Sequence, residues 1–130
     1  MGRAIAAVLI AETVWTVLWL GGGQAAAAAF PAAIDLAQPL TNPLVLTGFL
    51  AYSVAVSVIS GFVCAAVRGA AAMKTVWGFA FIQLALGVGF EASSWALTPV
   101  WYHLVFLALL VPSVVWGGRL RTGGVAAAAT

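Results

Sequence analysis

Two glutamates and one histidine, Glu12, Glu91 and His103, stand inside long apolar runs. If those runs cross a bilayer, an ionised side chain facing lipid would cost from about 2.5 kcal/mol upward. Each such group must then be protonated, face the protein interior or touch water. Groups held that way are natural candidates for moving a proton or gripping a polar ligand. Other chemistries fit poorly. Zinc takes three or four ligands, and a single histidine with three dispersed carboxylates does not make a set. Cys64 is the only cysteine, which rules out an intramolecular disulfide and leaves it as a small packing residue. A serine nucleophile would have only Ser94 near His103, at a generic spacing. Gly21, Gly22 and Gly23 lack the lysine and strand context of a phosphate cradle. No cofactor is implied, no metal site is expected, and no residue is assigned a catalytic role.

The elements that position these groups follow from composition. The chain is 65% hydrophobic and only 6% charged, whereas a soluble domain carries about a quarter charged residues. Four apolar stretches reach the roughly 20 residues needed to cross a bilayer: about 4–23 (with a possible continuation through the alanines to Phe30), 44–67, 75–97 and 101–118. The expected fold is all-α, a single transmembrane domain built as an integral membrane four-helix bundle. Between the first two helices, residues 31–43 hold three prolines with Asp35, Gln38 and Asn42, and read as an outer loop with room for a short surface helix at 32–37. Thr98-Pro99 is a tight turn, since proline cannot continue a helix and pushes its predecessor to extended geometry. Residues 122–130 read as a frayed, disordered tail. Arg3 followed by an apolar run has the outline of a secretory signal, but Glu12 is a poor signal core and three further spans follow.

Charge placement fixes the expected orientation. Arg3 precedes the first helix, Arg68 and Lys74 flank the second turn, and Arg119 and Arg121 follow the fourth helix. With four crossings all five basic residues share one side, and Asp35 lies on the other. Cytoplasmic loops carry the excess of Lys and Arg, so both termini are expected inside, in a multi-pass protein of the plasma (inner) membrane. Five basic residues scattered singly or in pairs do not make a nucleic-acid surface. The expected partners are the bilayer itself and either further copies of the chain or other membrane subunits.

Counting from the basic boundary sorts the polar residues by depth. Glu12, Gln83 and Ser60 each lie eight or nine residues in, about 13 Å along a helix and near the membrane centre. Trp15, Thr16 and Trp19 neighbour Glu12. Glu91, His103 and Tyr52 fall in an outer layer, about 25 Å from the same boundary. Because Glu91 and His103 sit on helices joined by the Thr98-Pro99 turn, contact between them is easy. Trp95, Trp101 and Tyr102 fit an outer aromatic belt. Helix two also repeats a small residue at every fourth position, Ser53, Ser57, Gly61, Ala65 and Gly69, and helix three has a shorter series at Ala85, Gly89 and Ser93. Such ridges let helices approach closely in lipid, within the bundle or against a second chain.

Ala11-Glu12 followed by Thr16 and Leu18 resembles the first helix of the small multidrug resistance transporters, which are also short and four-helical. The resemblance covers one helix in four and implies that Glu12 exchanges protons for a substrate. The long loop at 31–43 and the one-sided basic residues depart from that family's pattern. Three roles follow from the residues. One is a proton-linked transporter or channel using Glu12, and another is an accessory or assembly subunit built on the small-residue ridges. The third is an outer-leaflet enzyme or lipid-binding protein using Glu91, His103 and Tyr102. Against each stands a structural alternative: Glu12 bonded to Gln83 or Ser60 to fix helix register, and Glu91 bonded to His103 to fasten helices three and four.

Overall fold

The computed structural model describes residues 1–129. Four long helices follow one another: α1 (Gly2–Ala29), α2 (Pro43–Arg68), α3 (Ala72–Ser93) and α4 (Val100–Ala129), with a single 3-10 turn at Trp95–Leu97. There is no strand among the described residues. Each helix is long and apolar enough to cross a membrane. Their outward faces carry Leu9, Val17, Ile59, Phe62, Phe81, Leu86, Leu104 and Trp116, all exposed. A soluble monomer does not present so much contiguous apolar surface. Away from their ends, helices also satisfy their backbone N–H and C=O groups internally, as a lipid solvent demands. The chain is an all-α, multi-pass membrane protein.

Polar contacts define how the helices pair. Arg3 Nε donates to the Val67 carbonyl (2.8 Å), Trp15 Nε1 to Ser57 Oγ (3.0 Å), and the Tyr52 hydroxyl to the Leu18 carbonyl (2.5 Å). As α1 rises α2 falls, so the two are antiparallel. Gly118 packs on Val76, Gly87 on Leu107 and Leu110, and Glu91 bonds His103, which makes α3 and α4 antiparallel in the same way. α2 and α4 therefore run parallel, and they make the closest contact in the molecule. A Cβ on Gly61 would collide with the Val114 carbonyl, and one on Gly117 with the Val58 carbonyl. Backbone touches backbone here, the kind of approach that replaces hydrophobic association in lipid.

The α2 ridge faces inward: Ser53, Ser57, Gly61 and Ala65 are buried, whereas Gly69 is exposed and ends the helix with φ +72°. The α3 series goes the other way. Ala85, Gly89 and Ser93 are exposed, because α3 turns Gln83, Gly87 and Glu91 to the interior. Two cores result. One gathers Ala7, Ala11, Cys64, Val76, Phe79 and Val114 toward the end that carries Arg3, Arg68 and Lys74. The other gathers Trp15, Leu46, Tyr102, Phe106 and Leu110 toward the opposite end. Arg121 joins the basic end, its guanidinium 6.0 Å from the Phe62 ring.

Several boundaries differ from the sequence reading. α1 passes residue 23 and takes the longer of its two expected limits, ending at Ala29, since five alanines are the best helix formers available and offset the three glycines. Residues 31–42 form turns and irregular chain, with no short helix at 32–37. There Asp35 accepts the Ala37 N–H, Ile34 is buried, and Leu40 N donates to the Leu97 carbonyl, tying this loop to the α3–α4 connection. α3 stops at Ser93, not residue 97. The Ser93 and Ser94 hydroxyls both donate back to the Phe90 carbonyl and compete with its helical partner. α4 passes through Pro112 and continues to Ala129 in place of the frayed tail; a second alanine run carries it past Gly123 and Gly124. Thr130 lies outside the described residues.

Candidate functional site

The early end of α3 is what builds the site. It leaves Glu91 in the last turn of the helix and lets the 3-10 turn fold over the start of α4. Thr98 is extended, as a residue before proline should be. Pro99 then starts the reversal that sets His103 in the first turn of α4. His103 is completely buried and Glu91 nearly so. His103 Nδ1 is hydrogen-bonded to Glu91 Oε2. On the other side of the ring, Nε2 lies 3.0 Å from Thr98 Oγ1 and 3.1 Å from the carbonyls of both Trp95 and Thr98. The Trp95 indole stacks flat on the imidazole, centroids 4.4 Å apart and planes 9° from parallel.

This surround dictates a protonation pattern. Two carbonyls can only accept, so Nε2 carries a hydrogen and donates. The facing pair, Nδ1 and Glu91 Oε2, then holds one proton between them. Either a glutamic acid donates to a neutral imidazole, or an imidazolium donates to a carboxylate. Both forms are neutral as a unit, the condition under which an ionisable pair survives burial.

Glu91 has a second face. Among the described residues its Oε1 takes no hydrogen bond, and the residue lines a cavity of about 210 Å³. That cavity lies between the end of α1, the 31–43 loop, the start of α2, and the α3–α4 connection. Trp19, Phe49, Phe90 and Tyr102 give it aromatic walls, and Asp35, Gln24, Gln38, Ser94 and Thr98 give it polar groups. No Lys or Arg is in the lining. Tyr102 is buried and stacks on Phe106, rather than standing in an interfacial belt, because the loop and the 3-10 turn cover it. Trp19 lies between Trp15, Tyr52 and Phe106, at 5.4 to 6.1 Å. Trp95 is half-exposed over His103, and Trp101 faces outward.

The central layer is arranged differently. Glu12 is half-buried; Thr16 Oγ1 reaches its Oε1 at a long 3.4 Å, and its Oε2 is buried without a partner. Gln83 is buried and its Oε1 also lacks a partner. Ser60 is spent on its own helix, donating to the Val56 carbonyl at 2.9 Å. Among the described residues no hydrogen bond joins Glu12 to Gln83 or Ser60. Nor does Glu12 line the cavity below the loop. Between the two layers, Leu107, Leu110 and Phe106 fill the notch at Gly87 and form an apolar plug.

Of the outer layer expected from sequence, the structure brings Glu91 and His103 together and puts Ser94 in the cavity wall, whereas Tyr52 lies outside the lining with its hydroxyl on the Leu18 carbonyl. Sequence reasoning missed Thr98 and Trp95 as the cover of the imidazole, and Asp35, Gln24 and Gln38 as cavity walls. The Thr98-Pro99 dipeptide was a usable signal for the first. Nothing in the spacing of the loop residues told that they fold back over the helix ends. Comparison of the chain with protein-family models, with curated proteins and with solved structures returned no match.

Proposed function

We propose that the chain is a membrane-embedded binding protein for a small organic cation, taken into the cavity beside Glu91. One observation carries this reading: the lining holds two carboxylates, Glu91 and Asp35, and no basic side chain. The Glu91–His103 unit is neutral in both of its one-proton forms, which leaves Asp35 as the second acidic group of the lining. All five Lys and Arg belong to helix ends or turns remote from it. Aromatic faces add cation–π attraction, worth about 0.5–2 kcal/mol per contact. For size, an engineered apolar cavity of about 150 Å³ accepts benzene, so this one suits a single ring with a compact ammonium head. In the orientation that accompanies this reading the basic end is cytoplasmic and the cavity opens toward the outer leaflet.

The test uses benzyltrimethylammonium and its uncharged carbon isostere, neopentylbenzene, against purified protein in detergent micelles. Tryptophan fluorescence, to which Trp19 in the cavity wall contributes, should report saturable binding of the cation, tighter than the isostere by about tenfold or more. Glu91→Gln with Asp35→Asn should erase that difference. Equal affinity of the two probes for the unaltered protein sinks the reading.

A second reading has its own observation. Glu12 Oε2 and Gln83 Oε1 are both buried acceptors without donors in the central layer, which supports proton-linked transport with Glu12 as the mid-membrane carboxyl. Proteoliposome flux of the cation, driven by a pH gradient and abolished by Glu12→Gln, is its expected signature. Flux indifferent to that change removes it.

A further inference from the structure

A different surface is left over at the basic end. α1 and α3 do not seal against each other there, and a groove of about 410 Å³ runs between them. Ile5 and Leu9 wall it on one side and Ile82 on the other, while Gly78 has no atom near where a side chain would stand. The opening is therefore a product of residue choice. Lys74 and Thr75 lie at its end, one turn into α3. From Lys74 to Ile82 is about 12 Å along the helix axis, close to the roughly 15 Å depth of one leaflet's hydrocarbon. The groove is thus apolar along a leaflet and basic at the headgroup boundary.

Among the described residues the basic groups there have no acidic partner. The only ion pair among the described residues is His103–Glu91, at the opposite end. Asp35 lies in the loop that covers that far end, and Glu12 is in the central layer. The Arg68 Nε, which ends α2 shortly before α3 begins, is buried with no acceptor. The Thr75 hydroxyl makes no hydrogen bond among the described residues. We infer that this groove seats an acidic glycerophospholipid, one acyl chain between α1 and α3 and its phosphate against Lys74 and Thr75. Charge complementarity selects the occupant: a second copy of the chain would bring the same uncompensated cations to the contact.

Native mass spectrometry of protein released from bilayers of equal phosphatidylglycerol and phosphatidylcholine, with identical acyl chains, tests the inference. Phosphatidylglycerol should be retained in clear excess. Lys74→Gln should lower retention about fivefold, the usual effect of one basic residue near a lipid surface. Arg121→Gln, on α4 away from the groove, should leave retention unchanged. Gly78→Leu should fill the groove and displace the lipid with no change of charge. Equal retention of the two lipids would overturn the assignment. So would equal losses in Lys74→Gln and Arg121→Gln, which would mean diffuse charge rather than a site. Soluble glycerol phosphate competing as well as the lipid would place the affinity in the headgroup alone and also overturn it.

Discussion

At the scale of single residues, the Glu91–His103 unit has the largest energetic stake. Removing one partner of a buried pair leaves the other uncompensated and costs about 3–5 kcal/mol, whereas replacing both with apolar groups is often nearly neutral. His103→Ala should therefore lower thermal stability in detergent sharply. Glu91→Leu combined with His103→Phe should recover most of the loss while abolishing cation binding. A double-mutant cycle on these two positions measures the coupling directly. The Trp15–Ser57 bond is a milder case; Trp15→Phe should cost about 0.6 kcal/mol, the mean for polar bonds between helices in lipid. The pair was legible in the sequence because both residues lie at one depth beside a turn that forces their helices together. Glu12 was equally conspicuous, yet depth counting gave only its layer. Whether a carboxyl finds a partner there depends on helix rotation, and Ser60 illustrates the difference: its hydroxyl turned to its own backbone.

At the scale of elements, glycine sorts into two kinds. Gly61 and Gly117 sit where α2 and α4 touch, and a methyl at either would strike a carbonyl of the facing helix. Gly61→Ala and Gly117→Ala should each destabilise by about 1–3 kcal/mol, as overpacking does. Gly89→Ala meets nothing within 4 Å, and should be neutral or slightly stabilising through helix propensity. Unfolding in denaturing detergent, followed by circular dichroism, separates the groups. Gly22→Ala is a third case: the new methyl would displace the Tyr52 ring, so the bond to the Leu18 carbonyl should be lost. The four helices and the inward ridge of α2 could be read from hydropathy and from small residues at every fourth position. Helix ends could not, because they turn on local competition. The Ser93 and Ser94 hydroxyls end α3 four residues early, and that shift is what creates the cover over His103.

For the whole molecule, the polarity of the bundle is its plainest property, with every Lys and Arg at one end and Asp35 and Glu91 at the other. This was legible from charge placement alone once four spans were counted. The loop that closes the acidic end was not, since its anchors are Ile34 and a backbone bond from Leu40. If the basic end is cytoplasmic, an impermeant maleimide added to intact cells should label Gln38→Cys and spare Ala70→Cys, both exposed positions. Native Cys64 is fully buried and should stay unlabelled until the protein is denatured. The contact of α2 with α4 also bears on how the chain is made. α2 enters the bilayer half a chain before α4 exists, so Gly61 waits without its partner, although Ser57 already has Trp15 of α1. At translation rates of about 5–20 residues per second that interval lasts several seconds. A nascent chain stalled before Gly117 would carry an uncovered small-residue face at Gly61, open to membrane quality-control proteases throughout the wait.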